Sequence, residues 1–257
     1  MSGPLILMYH VVDRPLSEAE KRFCVTPDAF SAQMDALIHM GRRPIALPEL
    51  VTMLKQGKPV PAASVAITFD DGFECFQRNA LPVLRSRGIP STLFAVAGLI
   101  GQTNTWMQEK GWPERRLMDA SELRDVRSAG VTIGCHAYRH VKLPECSDGE
   151  LVTETAGARA RLSEAIGDEV DLFAFPHGAQ GARERDAVSQ AGFRAACSTV
   201  PGFVQRDADL YSLRRIDVYG SDSVGHFRRK VQFGTNRFSG LDLARYYAKR
   251  LYSKING

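Results

Sequence analysis

The amino-acid sequence predicts a single α/β domain built on parallel strands, either a barrel or a doubly wound sheet. Short apolar runs alternate with amphipathic helical segments along almost the whole chain, and glycines mark the connections between them. No internal repeat, low-complexity linker or change of composition divides the 257 residues. This length suits one domain, because α/β barrels commonly occupy about 200–250 residues. The hydrophobic fraction of 44% and charged fraction of 24% indicate an ordinary globular protein.

Capping signals locate two of the helices. Thr26 is a predicted N-cap followed by Pro27 at the first helical position. Ser147 and Glu150 form a predicted capping box at the start of a helix that runs to about Ile166. The other predicted elements are strands at 4–9, 64–69, 91–96, 131–134, 171–175, 193–198 and 212–216, and helices at 74–87, 121–129 and 181–191.

The cysteines and the first residues predict a cytoplasmic protein. The five cysteines are scattered, odd in number and never spaced as CxxC, which argues against disulfides and zinc–thiolate sites and favours a reducing compartment. The apolar start has no basic n-region and runs directly into His10, so it predicts a strand and not a secretory signal. No segment approaches the roughly 18 apolar residues of a membrane span.

Positive charge is concentrated at the C-terminus. Residues 226–257 hold eight Lys or Arg residues against one acid, Asp242, in a chain of net charge +4. We therefore expect a barrel over 1–225 and a basic helical extension over 226–257. Apolar residues at helical spacing in 240–254 would pack on the barrel or contact the anionic inner face of a membrane. The segment lacks a nucleic-acid recognition module, so no nucleic acid is expected.

Two adjacent acids follow the strand at 64–69. Asp70 and Asp71 repel each other and lose solvation at a strand end unless they share a cation or a proton. On its own, the dipeptide more often marks a solvated turn between a strand and a helix. In parallel α/β folds, however, functional residues lie at the carboxyl ends of strands.

A pair of histidines follows the strand at 131–134. His136 and His140 can bind one ion if the segment makes a helical turn, although such a pair can also be structural or exposed. One carboxylate and two imidazoles form a facial ligand set that leaves coordination sites for water and substrate. Such a set is expected of a hydrolytic metal site.

A third cluster, Pro176-His177-Gly178, follows the strand at 171–175. Proline and glycine around one residue favour a tight loop that could direct the His177 N–H into a pocket and stabilise an oxyanion. An ordinary turn would have the same sequence.

In this order and spacing, the three clusters resemble the motifs of the polysaccharide deacetylase family, carbohydrate esterase family four, which shares the nodulation-factor deacetylase homology domain. Residues 68–72, Thr-Phe-Asp-Asp-Gly, match its first motif completely. His136 and His140 match its HxxxH motif, with Ala137 in place of the usual Ser or Thr. Residues 174–178 match its third motif, RxPxG, without the arginine.

The resemblance covers about residues 5 to 220 and implies a distorted (β/α) barrel of about seven strands. The opening Leu7-Met8-Tyr9-His10 is similar to the branch that contains biofilm poly-N-acetylglucosamine deacetylases. The resemblance also implies that Asp70 is the general base and that Asp71, His136 and His140 bind one divalent metal. Zinc is the default ion, and cobalt, nickel or manganese would suit the same nitrogen and oxygen donors.

Two family features are missing from this sequence. The stretch 213–218 lacks the late histidine that protonates the leaving amine, so His10, His177 and His226 are the candidate substitutes, with His10 preferred. His10 could also merely line the pocket. Arg215 is the candidate to replace the missing arginine beside Asp70, unless it is a surface residue.

The predicted function is metal-dependent hydrolysis of the N-acetyl group of a sugar in an oligo- or polysaccharide or its lipid-linked precursor. Two alternatives remain open at the level of sequence. One is amide hydrolysis of a small non-polymeric substrate. The other is a carbohydrate-binding pseudoenzyme, because the arginine and the late histidine are absent.

Overall fold

The computed structural model describes residues 3–237, and in this part of the chain ten strands alternate with eight α-helices. The strands are β1 Leu5–Tyr9, β2 Val11–Val12, β3 Cys24–Val25, β4 Arg43–Pro44, β5 Ser64–Phe69, β6 Ser91–Ala95, β7 Thr132–Cys135, β8 Leu172–Ala174, β9 Ala195–Cys197 and β10 Ile216–Asp217. The helices are α1 Pro27–His39, α2 Leu47–Lys55, α3 Leu81–Ser86, α4 Ala120–Ser128, α5 Asp148–Val152, α6 Ala158–Ile166, α7 Ala182–Gln190 and α8 Val224–Phe233.

Seven parallel strands curl into a distorted barrel in the order β10-β1-β5-β6-β7-β8-β9. This order follows the chain without the reversal of a doubly wound sheet, and the last strand returns beside the first. Leu213, just before β10, makes a parallel bridge to Cys197 of β9, while Ile216 pairs with Leu7 of β1. The predicted barrel of about seven strands is confirmed, and β4 adds a short edge pairing to the start of β5.

The strands form because both of their faces are buried. Every residue of β1 and β5 is buried, as expected for parallel strands covered on two sides. Alternate side chains enter two apolar clusters. Leu7 joins a large cluster with residues of the surrounding helices, such as Phe30 of α1. Ile6 joins a smaller cluster with Phe94 of β6 and Leu50 of α2.

The capping predictions are confirmed. Thr26 Oγ1 accepts a hydrogen bond from Ala29 N at 3.3 Å, and Ser147 and Glu150 form the reciprocal capping box. Two helices depart from plain α geometry: Phe76–Ala80 makes a π turn before α3, and Thr153–Gly157 makes one between α5 and α6. The strand predicted at 212–216 is reduced to Ile216–Asp217.

The proposed boundary after residue 225 falls inside α8. Phe227 and Val231 of that helix are buried in the large apolar cluster, so the start of the basic region packs on the barrel. The basic helix predicted within 240–254 lies outside the described residues. No helix in the described range is long and apolar enough to cross a bilayer. All five cysteines are free thiols.

Candidate active site

The strand ends bring the predicted clusters to one rim of the barrel. Asp70 and Asp71 follow β5, His136 follows β7, and Pro176 lies just beyond β8. Because all seven strands are parallel, their carboxyl ends meet at this rim, which is where barrel enzymes place their active sites.

Asp71, His136 and His140 form a compact group of potential metal ligands. Asp71 Oδ1 lies 3.2 Å from His140 Nε2 and 3.5 Å from His136 Nε2, and one ligand atom of each residue lies within 4.8 Å of the others. All three side chains are buried. The Nδ1 atom of His136 lies 2.7 Å from the Ala174 carbonyl, which fixes the ring and leaves its Nε2 for a metal.

The donor chemistry of this group fits a divalent cation. Burial opposes ionisation of Asp71, but the neighbouring His140 holds its pKa well below the ordinary value, so the carboxylate is charged. Burial lowers the pKa of His136 to about 4, which leaves its imidazole neutral, as a ligand must be. Asp71 Oδ1 has no hydrogen-bond donor within the described residues. A buried, ionised oxygen beside two imidazole nitrogens is stabilised by a shared cation.

The HxxxH segment is not the helical turn that the spacing suggested. Residues 136–140 form an irregular loop, in which Ala137 has φ 61° and His140 has φ 62°. Asp71 (φ 76°) and His177 (φ 59°) are the other non-glycine residues with positive φ in the described chain. The left-handed region is unfavourable for residues with a Cβ, and all four such residues of the described part lie in the three motifs.

Asp70 is held by Arg215. Arg215 Nη1 donates to Asp70 Oδ1 at 2.6 Å and Nη2 donates to Oδ2 at 2.8 Å, and the arginine is fully buried. Burial alone would raise the pKa of Asp70, but the charge and the hydrogen bonds of the Arg215 guanidinium lower it below the usual range. Arg215, just before β10, is therefore a buried partner of Asp70 and not a surface residue.

His10 and His177 both line the cleft above these residues, and His226 does not. The register of β1 and β5 places His10 level with Asp70, because Tyr9 pairs with Phe69 and the Tyr9 carbonyl accepts from Asp70 N at 2.9 Å. The His177 ring packs edge-on against His140, with centroids 4.7 Å apart. His226 lies on α8, where its Nδ1 is 3.2 Å from Asp222 Oδ1.

The cleft has a volume of about 590 Å³, and two of its walls are loops. The sequence did not indicate that these loops belong to the site. Phe23 ends the loop after β2, and Trp112 lies in the loop after β6, with their ring centroids 5.5 Å apart. Arg115 joins the loops by donating to Glu20 Oε2 at 2.6 Å and Oε1 at 2.9 Å. These two residues are 95 positions apart, so no local pattern signals their pairing.

A parallel β/α barrel that carries an Asp–His–His group and a second buried aspartate at its strand ends defines a class of barrel hydrolases. Within that class, the chain belongs to the polysaccharide deacetylase family, whose sequence model matches residues 57–196, more than half of the chain. Enzymes of this family are hydrolases that act on carbon–nitrogen bonds.

Individual relatives agree with this assignment. The chain is 25% identical over 213 residues to YxkH of Bacillus subtilis, which covers 83% of the chain and 70% of that protein. It is 22% identical over 223 residues to the poly-beta-1,6-N-acetyl-D-glucosamine N-deacetylase of Staphylococcus aureus, covering 83% of the chain and 74% of the relative. The solved structure of IcaB from Ammonifex degensii superposes with a TM-score of 0.76 at 25% identity, over 90% of this chain and 98% of IcaB.

The ligand group predicts a specific loss of metal binding. We expect the native protein to bind one Zn²⁺, and Asp71→Asn to weaken binding by more than about 100-fold, because a ligand charge is lost. Isothermal titration calorimetry after chelator treatment measures both affinities. Asp125→Asn, an exposed change on α4, is the matched control. Equal affinity in Asp71→Asn and the native protein would contradict the assignment of the ligands.

The bidentate pair predicts that Arg215 affects turnover more than metal content. Arg215→Ala should lower kcat by about 10-fold or more, because Asp70 loses the group that orients it. Removing one partner of a buried ion pair also costs roughly 3–5 kcal/mol of stability, so the melting temperature is measured in parallel. Arg215→Lys, which keeps the charge, should be less impaired, and Arg214→Ala is the control. Near-unchanged kinetics in Arg215→Ala would rule out the bracing role.

Proposed function

We propose that this protein hydrolyses the N-acetyl group of an amino sugar in an oligo- or polysaccharide, or in its lipid-linked precursor, and releases acetate and a free amine. The observation that carries the proposal is the buried Asp71–His136–His140 group with Asp70 next to it, on a chain of the polysaccharide deacetylase family. His136 Nε2 lies 4.0 Å from Asp70 Oδ2, so the base and the ligand group share one small space.

Asp71, His136 and His140 would hold the metal, and zinc is the ion we favour, with cobalt, nickel or manganese as further candidates. When bound, a divalent cation at such a site acidifies water and polarises the carbonyl of the substrate. The two adjacent aspartates have different roles. Asp71 contributes charge to the ligand set, while Asp70 takes the proton of the attacking water.

Arg215 is suited to orient the base without neutralising it. Both oxygens of Asp70 accept from the guanidinium, and each oxygen keeps a further lone pair for a proton. The lowered pKa of Asp70 ensures that the carboxylate is ionised before the reaction. Arg215 is itself fixed, because its Nε donates to the Ser198 carbonyl at 2.9 Å.

The turn at Pro176–Gly178 is our candidate for stabilising the oxyanion. Gly178 N donates to the Phe175 carbonyl at 2.9 Å, which closes the turn, and Pro176 starts it with a fixed φ. We assign the His177 backbone N–H as the donor to the developing negative charge. Gly178 has φ 66° and abuts Thr199, where a Cβ would lie 2.0 Å from the hydroxyl oxygen, so only glycine fits.

His10 is our candidate for the acid that protonates the leaving amine. It is level with Asp70 across β1 and β5, so the base and the acid would be neighbours at the rim. His226 is outside the cleft and pairs with Asp222. The Leu7-Met8-Tyr9-His10 sequence, with its similarity to the biofilm branch, supports the same assignment.

A β-1,6-linked poly-N-acetylglucosamine is the substrate class that we favour, because the relative in Staphylococcus aureus is named for that activity. The aromatic wall formed by Phe23 and Trp112, continued by Tyr219, presents flat apolar surfaces of the kind that sugar rings contact. A cytoplasmic location and contact of the C-terminal basic helix with the inner face of a membrane stay predictions.

The proposal predicts acetate release from sugar polymers. With Zn²⁺ bound, the protein should release more acetate from β-1,6-linked N-acetylglucosamine oligomers than from β-1,4-linked ones or from small amides, as measured by an enzyme-coupled acetate assay. Asp70→Asn should lower kcat by about 10²–10⁴-fold, because it removes the base, and should keep the metal. Release from small amides alone would favour the small-molecule alternative. No release from any substrate by the metal-loaded protein would favour a binding protein.

The role of His10 predicts a dependence on the leaving group. His10→Ala should lose about 100-fold or more in kcat on the N-acetylated oligomer, because an amine leaves only when protonated. It should lose little on 4-nitrophenyl acetate, whose phenolate leaves without a proton. His39→Ala, an exposed change at the end of α1, is the control. Equal losses on both substrates would mean that His10 only lines the cleft.

A further inference from the structure

The loop from His136 to His140 needs an external support. Its two left-handed residues, Ala137 and His140, are unfavourable in isolation, and the side chain of Ala137 cannot form a hydrogen bond. The loop also forms no helical hydrogen bonds that would fix the distance between the two imidazoles. Any site that binds a metal through both histidines depends on whatever holds this backbone in place.

One face of the loop is held by the backbone after β6. Ala97 N donates to the Ala137 carbonyl at 3.0 Å, and Gly98 N donates to the Tyr138 carbonyl at 2.8 Å. Gly98 has no room for a side chain, because a Cβ there would lie 2.5 Å from the Tyr138 ring. Ala95, the last residue of β6, also accepts from His136 N at 2.8 Å, which leaves the N–H groups of Tyr138 and Arg139 to be satisfied from the other side.

Glu154 supplies the hydrogen-bond acceptors on that other side of the loop. Its Oε2 accepts from the backbone N–H groups of Tyr138 and Arg139, both at 2.9 Å, and its Oε1 accepts from Arg139 Nε at 2.6 Å. The side chain is fully buried, although it is a carboxylate. Hydrogen bonds to a charged acceptor are about twice as strong as neutral ones, and a buried N–H without a partner costs about 1–3 kcal/mol.

The helix is distorted at the position of Glu154. The residue lies in the π turn Thr153–Gly157, which interrupts the otherwise continuous helix from α5 to α6. Such single π turns occur frequently at functional sites. The neighbouring Thr155 is buried as well, and its Oγ1 donates to the Leu151 carbonyl at 2.7 Å.

We propose that Glu154 is a positioning residue, whose buried carboxylate holds the His136–His140 loop in the conformation that binds the metal. The inference rests on the proposed function of the Asp71–His136–His140 group and extends it to a residue outside the three motifs. The hydrogen bonds of Glu154 go to Tyr138 and Arg139 and not to either histidine, so its effect passes through the backbone of those two residues.

The test compares Glu154→Ala and Glu154→Gln with the native protein and with Glu164→Gln, an exposed change on α6. Zn²⁺ affinity is measured by competition with a chromophoric chelator, and hydrogen exchange of peptides that cover 136–140 is measured in the metal-free protein. Glu154→Ala should weaken Zn²⁺ binding by about 10–100-fold and speed exchange in the loop. Glu154→Gln should be intermediate, because its amide oxygen still accepts the backbone N–H groups but its NH₂ faces Arg139.

The outcomes separate this inference from the proposed function. If the native protein does not bind Zn²⁺, the proposed function fails, whereas the exchange of 136–140 in the metal-free variants still tests the hold of Glu154 on the loop. If Glu154→Ala does not fold, Glu154→Gln decides. Native-like Zn²⁺ affinity together with native-like exchange in a folded Glu154 variant overturns the inference.

Discussion

The fully buried ion pair between Arg215 and Asp70 is the interaction on which the rest of the structure depends. The guanidinium lies where the barrel closes. It donates to Ser198 after β9 and to Thr68 and Asp70 on and after β5, and it lies 5.7 Å from the centre of the Phe94 ring of β6. Thr68 in turn donates to the Leu7 carbonyl of β1 at 2.8 Å. The Arg215 side chain thus contacts residues of β5, β6 and the end of β9, and Thr68 extends these contacts to β1.

The Arg215–Asp70 pair contributes both to the stability of the folded barrel and to the chemistry of the site. A buried charge is tolerated only when it is paired and fully hydrogen-bonded, and Arg215 satisfies Asp70 on both oxygens. The same contact fixes the aspartate that we propose as the base, beside the His136 imidazole. Glu154 and the Arg115–Glu20 pair repeat this arrangement at the HxxxH loop and at the cleft wall, where buried carboxylates accept several N–H bonds each.

The sequence predicted correctly those features that depend on interactions between residues close together in the chain. The strand at 64–69, the Thr26 cap and the Ser147–Glu150 box depend on side chains and backbone groups a few residues apart, and all three are present. His136 and His140 come together with Asp71 without the helical turn that their spacing would allow, because the segment is an irregular loop. The path of that loop is set by Ala97, Gly98 and Glu154, which are distant in sequence, so spacing alone could not predict it.

The sequence by itself determined which residues meet at the rim of the barrel, because parallel strands must end together and each motif follows an apolar strand. It also determined the family, through the order of the three motifs. Only the tertiary structure decided that Arg215 pairs with Asp70, that Glu154 accepts hydrogen bonds from the His136–His140 loop and that Arg115 joins the two loops of the cleft wall. These contacts span 15 to 145 positions, and their partners become neighbours only when the barrel closes.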